Sequence, residues 1–192
     1  MSEHLHSNSP ELSVHPPEGY SVRPTEAPDI PAVLELVGGE PGALLRVSRE
    51  ELDDWVAAGR SLVAEDPSGA IVAHYGAMEW SDGRMELRSA VVSPEHRGRG
   101  INTHMLEELR ERLAVTDPGR EVFVVTRPAA KSRGIIEKSG GLEVALAELP
   151  DDFFDICPAT CWKRTGLDCG CRPYRLPEAP ESSEASQYRK EG

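Results

Sequence analysis

Between Ala90 and Leu113 three features follow one another closely: an apolar run Ala90-Val91-Val92, a turn Arg97-Gly98-Arg99-Gly100, and Ile101, Met105, Leu106, Leu109 and Leu113 at helical spacing. Steps of three and four predict an amphipathic helix with one buried face, and the apolar run predicts a strand. A strand that feeds a helix through a glycine turn has a definite chemistry. The first N–H groups of a helix have no partner within it, and the macrodipole makes that end positive. Glycines let the backbone approach a ligand closely. The unit therefore reads as an anion site suited to a pyrophosphate, with Arg97 and Arg99 adding charge. The bland alternative is a strand-to-helix turn that happens to hold two glycines. No Gly-Lys-Ser/Thr follows, which excludes a Walker A loop, and the third glycine of the dinucleotide fingerprint is missing.

The elements around this unit alternate. Tyr20–Pro24 is a short strand candidate. Thr25 is placed to cap a helix with Glu26 and Pro28 in its first turn and Ile30, Val33, Leu34 and Val37 on its apolar face; Gly38-Gly39 ends it. Ser48-Arg49-Glu50-Glu51 is a capping box opening a second helix, with Leu52, Trp55 and Val56 inward and Gly59 as its stop. Ser61–Glu65, Ala70–Trp80 and Met85–Val92 form an antiparallel meander through the turns Asp66-Pro67-Ser68-Gly69 and Ser81-Asp82-Gly83. After the central helix, Asp117-Pro118-Gly119 breaks the chain. A strand Glu121–Thr126, a helix Pro128–Ser139 and a strand Leu142–Leu146 follow. This order implies one mixed α/β domain around a central sheet. We expect a disordered tail over 1–19, the domain over 20–150, a cysteine-containing extension over 151–176 that includes a candidate last strand, Cys161-Trp162-Lys163-Arg164, and a second disordered tail over 177–192.

The chain carries 33 acidic and 21 basic residues, a formal charge of −12. That balance argues against nucleic acid and against an anionic membrane surface as partners. No apolar run approaches the roughly 20 residues that span a bilayer, and the start of the chain does not read as a signal or transit peptide. A cytoplasmic protein, monomer or homodimer, is expected, with its cysteines as thiols or metal ligands.

The run Val92-Ser93-Pro94-Glu95-His96-Arg97-Gly98-Arg99-Gly100-Ile101 resembles the acyl-CoA motif of the GNAT superfamily, which reads strand, V-x-P, then Q/R-x-x-G-x-G/A. Arg97 and Gly100 match. Asn102 stands where that motif has Gly or Ala, a departure that tightens the loop. The order of elements agrees from about Tyr20 to Leu149. The resemblance implies a central mixed, mostly antiparallel sheet flanked by helices, and acetyl-CoA as cosubstrate. It also implies that backbone N–H groups near Val91 and Val92 hold the thioester oxygen and pantetheine, and that those from Gly98 through Arg99, Gly100 and Ile101 to Asn102 hold the pyrophosphate. A primary amine, of a small molecule or a peptide, would attack directly.

Such an attack needs a base for the amine proton. Glu86 is the candidate: it lies on the strand of Val92, where some members of the family carry a catalytic Glu, and simple alternation puts Glu86, Arg88, Ala90 and Val92 on one face. A solvated Glu near a strand start is the alternative. The family often places a Tyr on the later helix to protonate the leaving thiolate; here Ile136 or Glu137 stands there. The charge balance points weakly to a cationic acceptor. The four cysteines, Cys157, Cys161, Cys169 and Cys171, fall within fifteen residues at the spacing C-x3-C-x7-C-x-C. Four thiolates on a turn-rich segment suit a structural zinc; ordinary buried thiols are the alternative. Two rival functions stand beside the transferase: an acyl-CoA-binding sensor without turnover, and a metal-binding interaction module built on the cysteines.

Overall fold

The computed structural model describes residues 16–40, 44, 46–128, 130–156 and 170–179. Among the described residues seven strands form one sheet: β1 (Ser21–Pro24), β2 (Ser61–Glu65), β3 (Ile71–Glu79), β4 (Met85–Val92), β5 (Val122–Thr126), β6 (Leu142–Glu143) and β7 (Arg172–Leu176). Their order is β1-β2-β3-β4-β5-β7-β6. Every neighbouring pair is antiparallel except β4 and β5, which run parallel. The expected mixed, mostly antiparallel sheet flanked by helices is therefore present. The helices are α1 (Ile30–Gly38), α2 (Arg49–Ala57), α3 (Ile101–Thr116) and α4 (Arg133–Lys138).

The apolar spacing that marks α3 is the face that packs. Ile101, Met105, Leu106, Leu109 and Leu113 are all buried against Leu62, Ala73, Tyr75, Ala77, Met85, Leu87 and Val124 of the sheet. Each such side chain contributes about 1.5–3 kcal/mol on burial. The opposite face carries α1 and α2: Ile30, Val33, Val37, Leu52 and Trp55 close over Val63 and Val91. The Ser48 capping box forms as its residue types dictate. Ser48 Oγ accepts from the Glu51 N–H and Glu51 accepts from the Ser48 N–H.

Three local expectations change. Thr25 does not cap α1; its hydroxyl is buried against Ser61 Oγ, and Asp29 instead accepts from the Glu26 N–H ahead of the helix. The helix expected from Pro128 begins only at Arg133, because the chain first closes a turn from the Ala130 N–H to the Arg127 carbonyl. The strand expected to reach Leu146 ends at Glu143. From Leu146 it becomes a 3-10 turn, tied at its start by Glu148 accepting from the Ala145 N–H. The last strand among the described residues is Arg172–Leu176, within the expected extension and paired with all of β5; the candidate Cys161–Arg164 lies outside the described residues.

Candidate active site

The parallel pair at the centre of the sheet is short. Met85, Glu86 and Leu87 pair with Val122, Phe123 and Val124, and there the pairing stops. Strand β4 runs on to Val92 and β5 to Thr126, the latter held on its far side by β7. The two strands thus part beyond Leu87, which leaves backbone groups of β4 without a strand neighbour on that side. The Ser93 N–H bonds back to Val72 of β3. Alternation along the strand then turns the Val92 N–H the other way, into the split.

A bulge produces the parting geometry. Arg88 pairs with Gly76 and Val91 with His74, so Ser89 and Ala90 together face the single Tyr75. Ser89 takes φ 58°, the one positive φ among the described non-glycine residues. The extra residue flips the faces. Met85 and Leu87 pack toward α3, as do Ala90 and Val92, whereas Val91 packs under α1 and α2. The Arg88 guanidinium lies over Trp55 on the α1–α2 side, and Glu86, two residues before it, shares that side. The expected common face of Glu86, Arg88, Ala90 and Val92 is therefore corrected: only the first two share it.

A buried polar chain holds the bulge. His74 Nδ1 lies 3.1 Å from the Ser89 carbonyl. A carbonyl only accepts, so Nδ1 carries the proton. His74 Nε2 then accepts from the Ser61 hydroxyl at 3.0 Å, and Ser61 Oγ accepts from the Thr25 hydroxyl at 2.7 Å. Burial keeps the ring neutral, its pKa lowered to about 4. Replacing His74 by Phe strips donors and acceptors from a dry site and should cost about 1–3 kcal/mol in urea unfolding at pH 7. The folded pKa lies below the free value of 6.5, so the native state binds fewer protons. The stability His74 confers above pH 6.5 is lost as pH falls toward 4. His74→Phe should lack that acid limb; an unchanged unfolding midpoint at pH 7 would show that the chain does not hold the bulge.

Glu86 is 3% exposed, and its Oε2 has no hydrogen-bond partner. Burial pushes its pKa up to about 7, with Arg88 pulling the other way. Arg88 is itself 7% exposed and its Nε is also without a partner. Nη1 donates to Met78 Sδ at 2.7 Å. Trp55 can floor this region because residue 76 is glycine: a Cβ there would sit 2.5 Å from Trp55 Cε3. The same indole stacks beside the His74 ring.

The turn ahead of α3 has the expected form. Gly98 and Gly100 take φ 76° and 83°, both are exposed, and Gly100 is the N-cap with no side chain to cap the helix. A Cβ at Gly98 would meet nothing within 4 Å, and one at Gly100 only Pro17 Cγ at 4.0 Å. A backbone cradle left open in this way fits a phosphate group. The arginines are less free than expected. Arg97 Nε donates to the Val92 carbonyl at 2.9 Å and its Nη2 pairs with Glu40, so it ties the turn to the end of β4. Arg99 lies over the Tyr20 ring, whose hydroxyl meets His96 Nδ1 at 2.9 Å. Ile101 is buried in the core and Asn102 is half-buried at the start of α3.

Where the family often carries a Tyr on α4, Ile136 is buried in the core. Glu137 accepts from Arg133 and from the Tyr174 hydroxyl at 3.2 Å. A phenol does reach α4, but from β7. Of the cysteines, Cys157, Cys161 and Cys169 lie outside the described residues; Cys171 is half-buried just before β7. Among the described residues no three His, Cys, Asp or Glu gather where they could hold a metal ion.

The residues missed from sequence are Arg88 as a functional candidate, and His74 and Ser89 as the bulge. A histidine inside an apolar strand, Val72-Ala73-His74-Tyr75, was the available signal.

The sequence profile of the acetyltransferase (GNAT) family matches residues 30–140. No curated protein matches the chain in sequence. Among solved structures, Rv2747 from Mycobacterium tuberculosis, in complex with CoA, aligns over 81% of this chain and 98% of its own at 24% identity and TM-score 0.62. N-acetylglutamate synthase from Neisseria gonorrhoeae, with coenzyme A and N-acetyl-glutamate, aligns over 82% of this chain at 19% identity and TM-score 0.64; the match spans 35% of that longer protein. The structure of yncA from Salmonella typhimurium with acetyl-CoA aligns over 86% and 96% at 14% identity and TM-score 0.61. At these identities the structures establish a shared fold.

Proposed function

The chain belongs to the acetyltransferase (GNAT) family, the acyl-CoA-dependent N-acetyltransferases, and we propose that Glu86 is its general base and the parting of β4 from β5 its reaction site. The observation that carries this reading is a carboxyl group with a partnerless buried oxygen, its pKa raised to about 7, beside the last β4–β5 pair. A general base works best when its pKa lies near the working pH.

Bound acetyl-CoA supplies an activated thioester carbonyl. Glu86 takes a proton from the acceptor ammonium, which frees the nitrogen lone pair. As the C–N bond forms and the C–S bond breaks, the Val92 N–H in the split is placed to hold the carbonyl oxygen. The backbone N–H groups from Gly98 to Asn102 would hold the pyrophosphate, with Arg97 fixing the turn to β4 and Arg99 adding charge. The nitrogen sheds its second proton to the departing sulfur, which leaves as the CoA thiol without a Tyr on α4. A small-molecule amine suits the buried position of Glu86, and the N-acetylated small molecule in the Neisseria gonorrhoeae structure supports that choice. No helix among the described residues is long and apolar enough to cross a membrane.

Thiol release from acetyl-CoA in the presence of a panel of amines should be amine-dependent and saturable. Tight CoA binding with no release on any amine would instead mark a sensor.

A further inference from the structure

We propose that Arg88 binds a carboxylate of the acetyl acceptor, and hence that the acceptor is an amine with a carboxylate close to it, of the α-amino acid type. The proposal rests on the reading of Glu86 as base and adds what the substrate must carry.

Arg88 has no carboxylate in ion-pair contact among the described residues, and Glu86 acts on it only at longer range. The residue is more than nine-tenths buried, and its Nε is fully so. Its contacts are a thioether sulfur, an uncharged and weak acceptor, and the face of Trp55 at 5.7 Å. Arginine cannot shed its proton at any working pH. A buried charge held this way costs stability unless something pairs with it. Nε, which has no partner, is one arm of the fork that grips a carboxylate through two parallel bonds.

Position identifies the occupant. Glu86 and Arg88 lie on one face of β4 with one residue between them, roughly 6.6 Å apart along the strand. Leu87 is the last β4 residue with a β5 partner, so the two side chains flank the point where the strands part. In an α-amino acid the nitrogen and the carboxyl carbon are about 2.5 Å apart, and each would sit about 2.8 Å from its protein partner. The two spans are compatible. One ligand then satisfies both orphaned groups: its ammonium faces Glu86 Oε2 and its carboxylate faces Arg88. Trp55 and Met78, packed around the guanidinium, exclude the water that would otherwise compete. A purely cationic acceptor, the preference drawn from net charge, would leave Arg88 unpaired and bring a second positive charge beside it.

The test is thiol release from acetyl-CoA by the full chain. L-amino acids are offered, each beside its α-carboxamide and its decarboxylated amine. At least one acid should be used with kcat/KM on the order of a hundredfold above its amide and amine, the difference lying mainly in KM. Arg88→Met should collapse that ratio to within about threefold while CoA affinity, read by calorimetry, holds. Arg88→Lys keeps the charge without the fork and should recover part of the ratio. If the Met variant does not fold, as judged by circular dichroism, the Lys variant decides: KM should rise roughly tenfold for the acid and stay level for the amide. Equal use of acid and amide by the wild type overturns the proposal, as does an equal loss on both in Arg88→Met. If no amine releases thiol although CoA binds, the transferase reading fails, and the acceptor falls with it.

Discussion

Glu86→Gln should cost 10²–10⁴-fold in kcat/KM near pH 7.5, roughly the contribution of a positioned general base, and should remove an inflection from the pH profile. As the proposed base, Glu86 acts as the carboxylate, and burial raises its pKa to about 7. Activity should therefore climb about tenfold per pH unit below 7 and level off above it. The Gln variant has no such limb. Its residual rate should follow deprotonation of the acceptor amine alone, so the gap narrows as pH rises toward the amine's own pKa. Stability should move the other way. The folded pKa lies above the ordinary 4.5, so the native state holds an extra proton between those values. The wild type then loses stability as pH rises through 7, by about 3 kcal/mol at 1.36 kcal/mol per unit. Glu86→Gln should melt higher than wild type at pH 8 and close to it at pH 4. A variant that keeps the inflection near pH 7 would remove Glu86 as the base.

His74 and Glu86 pull stability in opposite directions over nearly the same window. The first loses its contribution as pH falls from 6.5 toward 4, and the second as pH rises from 4.5 toward 7. The wild-type curve is therefore flatter than either group alone would make it. Each single variant should unmask the slope of the other. Both groups belong to one feature, the bulged strand and the split beside it. The carboxyl is kept dry enough to act as a base, and the histidine holds the backbone distortion that ends the β3-facing alternation.

The sequence showed this site unevenly, and the reasons are physical. The α3 face was legible because a helix buried on one side must repeat every three to four residues, and all five expected positions are in the core. The turn before it was legible because glycine adopts the left-handed backbone of Gly98 and Gly100 without the cost other residues pay. The face of Ala90 and Val92 was not. A bulge at a serine leaves no mark in a pattern of period two, and it is set by a histidine fifteen residues away. Arg97 looked like a free phosphate ligand because Glu40, its partner, lies 57 positions earlier in the chain. Arg88 carried no signal at all: an arginine in a strand acquires meaning only when its surroundings prove to hold no carboxylate within ion-pair reach. The last described strand, Arg172–Leu176, lies within the expected extension but left no clear mark of its own, because it is only five residues long and Pro173 interrupts it.

Gly100→Val should lower CoA affinity by roughly a hundredfold or more while the protein stays folded, and the two halves of that expectation have separate causes. Gly100 sits at φ 83° and ψ −1° as the N-cap of α3. An L-residue there costs about 1–2 kcal/mol, and a β-branched one more, because its Cβ crowds the carbonyl that follows. That loss is tolerable beside the five α3 side chains buried in the core. No overpacking adds to it, since the nearest protein atom to a new Cβ is Pro17 Cγ at 4.0 Å. The space a valine would fill is space that the protein leaves open, above the first N–H groups of α3. A pyrophosphate needs that space and those N–H groups together. Gly100→Ala separates the two causes: it pays much of the backbone cost yet intrudes by a single methyl group. If backbone strain governs, the alanine variant should lose most of the affinity; if the cradle is simply occupied, it should fall between wild type and valine. Calorimetric titration with CoA, beside a thermal melt of each variant, reads both quantities. A folded Gly100→Val protein that binds CoA as the wild type does would move the pyrophosphate away from the start of α3, and the assignment of the turn would go with it.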